Sequence, residues 1–161
     1  MRVKSAFWVI FLGLVVLGTG AAVALPGSLG YDIAANPEVD LQQAIAKAQK
    51  ENKRILMEVG GEWCIWCHHL ERFLKGDAEI SRLLNERFVV LKVNWSRENK
   101  NEKFLSRFPK VPGYPHLFVL ESNGTVLHSQ NTTDLESDKS YDRAKWIAFL
   151  NKWSLPAKKA R

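Results

Sequence analysis

The chain has 161 residues, 46% hydrophobic and 25% charged, with a formal net charge of +6. That length supports one domain with a hydrophobic core, and the mixture excludes a disordered or fibrous protein. The basic residues alternate with acids and gather into no stripe, so nucleic acid is not an expected partner. Arg2 and Lys4 precede an uncharged run from Ala6 to Leu25 that closes on Ala22-Val23-Ala24. Positive start, apolar middle and small-residue end give two main readings of residues 1–24, a secretory signal peptide or a retained N-terminal membrane anchor, with a buried helix as the plain alternative. Both main readings place the rest of the chain outside the cytoplasm, because the charges precede the apolar run. The periplasm is the expected setting, with anchoring to the inner membrane through residues 6–25 if they are kept. Cleavage would remove two basic residues, Arg2 and Lys4, and no acid, taking the formal charge from +6 to +4.

Residues 25–37 contain Pro, Gly, Ser and Asn and read as a linker. One domain is expected over 38–155, with a basic tail at 156–161. Leu41, Ala44, Ile45 and Ala48 form an apolar stripe on a helix ending near Glu51, with Asn36 as N-cap and Pro37 at its first position. Arg54 to Val59 reads as a buried strand with one acid, Glu58, inside it. Gly60-Gly61 breaks that strand, and Cys64 to Lys75 reads as a helix closed by Gly76. Asp77 caps a further helix carrying Ile80, Leu83 and Leu84, and Phe88 to Val93 is the strongest strand signal. A helix is expected over Glu98 to Phe108, then a rigid turn at Val111-Pro112-Gly113-Tyr114-Pro115. His116–Leu120 and Thr125–Ser129 flank Asn123-Gly124, a hairpin signal. A polar loop over 131–140 precedes a final amphipathic helix from Tyr141 to Trp153. The order α-β-α-β-α-β-β-α implies an α/β fold: a mixed central sheet with helices on both faces.

The only two cysteines are Cys64 and Cys67, too few and too close for a disulfide scaffold. They follow a strand and open a helix. At a helix N-terminus, free N–H groups and the macrodipole favour an anion, so the Cys64 thiol should ionise more readily than an ordinary cysteine. The thiolate is the species that attacks a disulfide. Cys67, one turn on, lies on the same face and can displace the resulting mixed disulfide. It should be more buried and hold its proton longer. Glu58 interrupts Ile55-Leu56-Met57 and Val59, which favours its burial, and a desolvated carboxyl titrates high. Such a group can accept the Cys67 proton through a water near neutral pH. Trp63 reads as packing and Trp66 as contact surface for an apolar client. His68 follows the pair and is a candidate for tuning the thiol.

Trp63-Cys64-Ile65-Trp66-Cys67 after the strand Ile55-Leu56-Met57-Glu58-Val59 resembles the thioredoxin superfamily, and the likeness runs from about Leu41 to Trp153. It is closest to small exported thioredoxin-like domains with an Ala-rich helix before that strand. Leu84 to Val93 and Gly113 to Leu120 fit the same branch. The resemblance implies a thioredoxin fold, disulfide exchange and an N-terminal active cysteine. It also implies a buried acid at Glu58 and a cis-proline at Pro115 facing the cysteine pair, with Tyr114 presenting its backbone to an extended substrate. No cofactor is called for. The partners implied are a protein thiol or disulfide client and a redox partner protein that supplies or accepts electrons. Ile65-Trp66 between the cysteines departs from the pairs of reducing thioredoxins and of strong oxidants, so no potential carries over.

Three other readings compete. Cys64-Ile65-Trp66-Cys67-His68 satisfies the C-x-x-C-H signature of c-type haem attachment. Cys64, Cys67 and His68 share a helix face as metal ligands, yet structural zinc needs four and no second cluster is present, so no metal is expected. A redox-inactive thioredoxin-like module would bind clients without using the sulfurs.

Overall fold

The structure, a computed structural model, describes residues 29–156. The segment read as a signal or anchor and the tail from residue 157 onward lie outside the described residues. Among the described residues no helix is long and apolar enough to cross a membrane.

Helix α1 (Pro37–Glu51) starts as its sequence dictates. The Asn36 side chain accepts a hydrogen bond from Glu38 N, Pro37 takes the first position, and Asn52 closes the helix in the left-handed conformation. Strand β1 (Arg54–Gly60) follows, then α2 (Ile65–Gly76), α3 (Ala78–Arg87) and β2 (Phe88–Asn94). Asp77 separates α2 from α3 in extended conformation, and its carboxylate accepts from Glu79 N and Ile80 N. The chain continues through α4 (Glu102–Leu105), β3 (His116–Leu120), β4 (Val126–Asn131), a 3-10 turn at Thr132–Leu135, the short hairpin β5 (Glu136–Ser137) and β6 (Ser140–Tyr141), and α5 (Arg143–Trp153).

The central sheet has the order β2-β1-β3-β4. β1 and β2 pair parallel, joined by the α2–α3 crossover, while β3 runs antiparallel to both β1 and β4. The sheet is therefore mixed. Ile55, Met57 and Val59 of β1 pack with Leu41, Ala44, Phe118 and Leu120 on the α1 face. Leu56 packs with Leu70, Leu83, Leu117 and Trp146 on the face covered by α2, α3 and α5. Because side chains alternate along a strand, Glu58 points to this second face, beneath α2. Burial on both faces explains why β1 and β3 read as near-continuous apolar runs.

Several boundaries differ from expectation. Helix α4 has four residues in place of the run over 98–108. Side chains take the backbone groups that a helix would need: Asn99 N bonds Ser96 Oγ, Asn101 N bonds Asn99 Oδ1, and Asn101 Nδ2 bonds Asn94 O. Asn101 itself is left-handed, with φ 49°. The polar stretch after Asn131 is not a plain loop but carries the 3-10 turn and the β5–β6 hairpin, and α5 starts at Arg143, capped by Asp142. Gly76 is the last residue of α2, and the stop is made by the extended Asp77. Part of the stretch expected as a linker packs onto the domain. Leu29 and Tyr31 are buried, and their backbone N–H groups donate to the Glu62 carboxylate.

Candidate active site

Cys64 is the N-cap of α2 and is extended, with φ −88° and ψ 107°. Its sulfur accepts a hydrogen bond from Cys67 N at 3.1 Å, the contact that a capping side chain makes with an otherwise unpaired helix donor. Cys64 and Cys67 are joined as a disulfide, with their Cα atoms 5.2 Å apart. Cys67 is the more buried of the two, 1% exposed against 3% for Cys64. With a donor N–H and the helix N-terminus aimed at it, the Cys64 sulfur is the better placed of the pair to carry negative charge once the bond opens.

Glu58 lies below the pair and is 2% exposed. Burial raises its carboxyl above the ordinary carboxylate range, against the opposing pull of the Lys92 charge and the Tyr31 hydrogen bond. Lys92, the register partner of Glu58 on β2, stands 4.0 Å away and gives its hydrogen bonds to Glu71 and to Leu29 O, each at 2.6 Å. Tyr31 donates its phenol proton to Glu58 Oε1 at 2.5 Å. Gly60 brings this acid chemistry up to the sulfurs. A Cβ built on it would stand 2.6 Å from the Tyr31 hydroxyl and 2.7 Å from Cys67 Sγ, so a side chain there would have to displace one of them.

Two aromatic groups flank the pair. Trp63, 55% exposed, donates its indole N–H to Trp95 O at 2.7 Å and meets Trp95 and Tyr114 edge-on. Trp95 and Tyr114 stack at 4.8 Å. Trp66 is half-buried against Tyr141 and His69. Trp63, expected as packing, does pack on Trp95 and Tyr114 but is the more exposed of the two tryptophans. Trp63 follows a turn and is held at the surface, while Trp66, one turn into α2, leans on the core. A recess of about 410 Å³ lies beside Trp63, Trp95, Arg97 and Glu98. The Tyr114–Pro115 peptide bond is cis, Pro115 is buried, and Tyr114 packs against the cysteine cluster.

Of the residues singled out in the sequence, Cys64, Cys67, Trp66 and Tyr114 come together around the sulfurs, and Glu58 joins them through Tyr31. Trp63 is linked to them by Tyr114. His68 turns away, its Nε2 on Glu62 O at 2.9 Å. Thioether attachment of haem needs both sulfurs free, whereas here they bond each other and the motif histidine is engaged elsewhere. Among the described residues no three His, Cys, Asp or Glu converge as metal ligands. Sequence reasoning missed Tyr31, Leu29, Glu62 and Trp95. The one available signal was the alternation of Leu29, Tyr31 and Ile33, apolar at every second position in a stretch otherwise of loop composition.

Comparison with known proteins agrees with this architecture. A family model described as Thioredox_DsbH, protein of unknown function, DUF255, matches residues 38–154. Spermatogenesis-associated protein 20 of Mus musculus is 47% identical over 53 residues, which are 33% of this chain and 7% of that protein. Thiol:disulfide interchange protein DsbD of Pseudomonas fluorescens is 28% identical over 116 residues, 71% of this chain and 18% of that protein. This chain thus spans only a small part of the length of these curated relatives. Among solved structures, the disulphide isomerase from Xylella fastidiosa Temecula1 superposes with a TM-score of 0.67 at 23% identity, covering 78% of this chain and 96% of that one. The sheet order, the Cys64–Cys67 pair and the match over nearly the whole described domain lead to one assignment: the chain belongs to the Thioredox_DsbH (DUF255) family of thioredoxin-fold proteins.

Proposed function

We propose that the chain is an extracytoplasmic thiol–disulfide oxidoreductase acting on protein thiols or disulfides. The observation that carries this reading is the Cys64–Cys67 disulfide at the start of α2, with one sulfur on a helix N–H and a buried carboxyl on the strand beneath. In the reducing direction, the Cys64 thiolate attacks a client disulfide, and Cys67 gives up its proton toward Glu58 and displaces the client. In the oxidising direction a client thiolate opens the Cys64–Cys67 bond and the steps run in reverse. Tyr114 and Pro115 shape the groove for an extended client segment, and Trp63 and Trp66 supply apolar contact. Electrons come from or go to a redox partner protein of the same dithiol chemistry. The charged start and apolar run of residues 1–25 support export, with retention as an anchor the variant in which the domain stays at the inner membrane.

Exchange with a peptide disulfide tests the assignment. Cys64→Ser should abolish turnover, and Cys67→Ser should accumulate a mixed disulfide through Cys64. Undiminished exchange by Cys64→Ser would remove the enzyme reading. Client capture that survives loss of both sulfurs would instead mark a redox-inactive binding module.

A further inference from the structure

We propose that Tyr31 is a catalytic residue of the resolving step: its phenol fixes the Glu58 carboxylate and passes the Cys67 proton to it. This rests on the exchange reading above and names the route that the proton takes. Three observations carry it. The Tyr31 hydroxyl already donates to Glu58 Oε1 at 2.5 Å, so its own proton points at the acceptor and its lone pairs are left for another donor. The same oxygen and Cys67 Sγ crowd the one point above Gly60 where a side chain would otherwise stand. The backbone around Tyr31 is tied down, with Leu29 N and Tyr31 N on the Glu62 carboxylate and Leu29 O on Lys92 Nζ.

The charged and titratable groups facing Tyr31 are Glu58 from β1, Glu62 from the following turn, Lys92 from β2, and Glu71, Cys64 and Cys67 from the α2 end. Burial first, and then the neighbouring Glu58 charge, hold the Tyr31 phenol well above its usual range. It therefore stays neutral at working pH and moves a proton only by accepting one as it gives one up. A hydroxyl fixed by the chain stands where the sequence alone suggested a water.

The step balances as follows. A client disulfide opens on attack by the Cys64 thiolate. One client sulfur leaves as a thiolate and takes a proton from solvent, and the other is bonded to Cys64. The Cys67 thiol gives its proton to the Tyr31 oxygen as the Tyr31 proton passes to the Glu58 carboxylate. The Cys67 thiolate attacks Cys64 Sγ, the mixed disulfide breaks, and the second client sulfur leaves as a thiolate to be protonated in turn. The client gains two electrons and the protein is left with the Cys64–Cys67 bond. The pair starts the next cycle only after a dithiol partner has reduced it.

The test is rapid-quench kinetics of the full chain, reduced beforehand with a dithiol, against an excess of a peptide disulfide from acid to alkaline pH. Tyr31→Phe keeps the ring and removes the hydroxyl. It should slow resolution of the mixed disulfide by about tenfold or more near neutral pH. The rate should recover at alkaline pH, where Cys67 ionises unaided, and the first attack by Cys64 should be unchanged. Glu58→Gln should show the same profile, and the double variant should be no slower than Glu58→Gln alone, because both residues serve one proton transfer. Normal resolution by Tyr31→Phe beside a slow Glu58→Gln would overturn the role of Tyr31 and leave that of Glu58 intact. Normal resolution by both would remove the acid and the phenol together. Slowing of Tyr31→Phe by the same factor at every pH would mark a packing role and overturn the relay. If Tyr31→Phe does not fold, the wild-type chain decides in mixed light and heavy water. Two protons in flight bow the dependence of rate on isotope fraction, and a straight line would overturn the proposal.

Discussion

His116 follows the cis bond into β3 and is sealed from solvent. Its Nε2 lies 2.8 Å from Ser129 Oγ, while Nδ1 is buried without a partner. Burial first, and then the charge of His128, push its titration from 6.5 down to about 4. Between those values the unfolded chain takes up a proton that the folded chain refuses. Stability contributed here is complete above about pH 6.5 and is lost as pH falls toward 4, on the order of 3 kcal/mol at most. Urea denaturation over that window should show the loss, and His116→Gln should flatten it. An equal slope in the variant would assign the acid sensitivity to other groups. Glu58 works in the opposite sense. Its titration is raised, so the stability it confers is complete at acid pH and is given up as pH climbs through the raised value. Glu58→Gln should therefore gain on the wild type in the same denaturation series as pH rises. The burial of Glu58 was legible because it interrupts an apolar run. The burial of His116 was not, because nothing in Pro115-His116-Leu117 shows that β3 lies between β1 and β4.

At the scale of elements, local signals succeeded where they stood alone. Asn36-Pro37 begins α1, and Asp77 begins α3, as their chemistry requires. The helix expected from Glu98 shrank to α4 because Ser96, Asn99 and Asn101 offer the backbone nearer partners than a helix would. Phe104 and Phe108 supplied the apolar spacing of a helix, and they do pack together, but over a turn rather than a long helix. Helix α5 starts two residues later than its apolar pattern suggested, because the Asp142 carboxylate accepts from Lys145 N and Asp142 N bonds Leu135 O. Asp142→Ala should cost about 1 kcal/mol through loss of that cap, measured as a shift in denaturation midpoint with an unchanged slope. Leu70, fully buried on α2, couples the cysteine helix to the sheet. Leu70→Ala should cost about 2–5 kcal/mol, and a cost below about 1 kcal/mol would mean that α2 is held mainly by its ends.

For the molecule as a whole, the sheet was readable from the order of its elements, because a strand–helix–strand crossover and a hairpin leave few ways to pair. The candidate site was readable only in part. Cys64, Cys67, Glu58, Tyr114 and Pro115 sit on motifs, whereas Tyr31 reaches its acid across 27 positions of sequence from a stretch that composition assigns to a linker. Leu29 and Tyr31 share a buried cluster with both cysteines. Removing residues 1–31 should speed alkylation of Cys67 in the reduced chain, followed by mass spectrometry, and an unchanged rate would show that this segment does not shield the sulfur. The attachment of Leu29 to Lys92 and of its N–H to Glu62 also sets a short leash. Three residues separate Leu25, where the apolar run ends, from Leu29, and the four Cα-to-Cα steps between them reach at most about 14 Å when fully extended. A domain that keeps its first segment in a bilayer would have Leu29, and the Glu62 carboxylate that Leu29 bonds, tethered close to the lipid headgroups, and would meet clients that come to the surface.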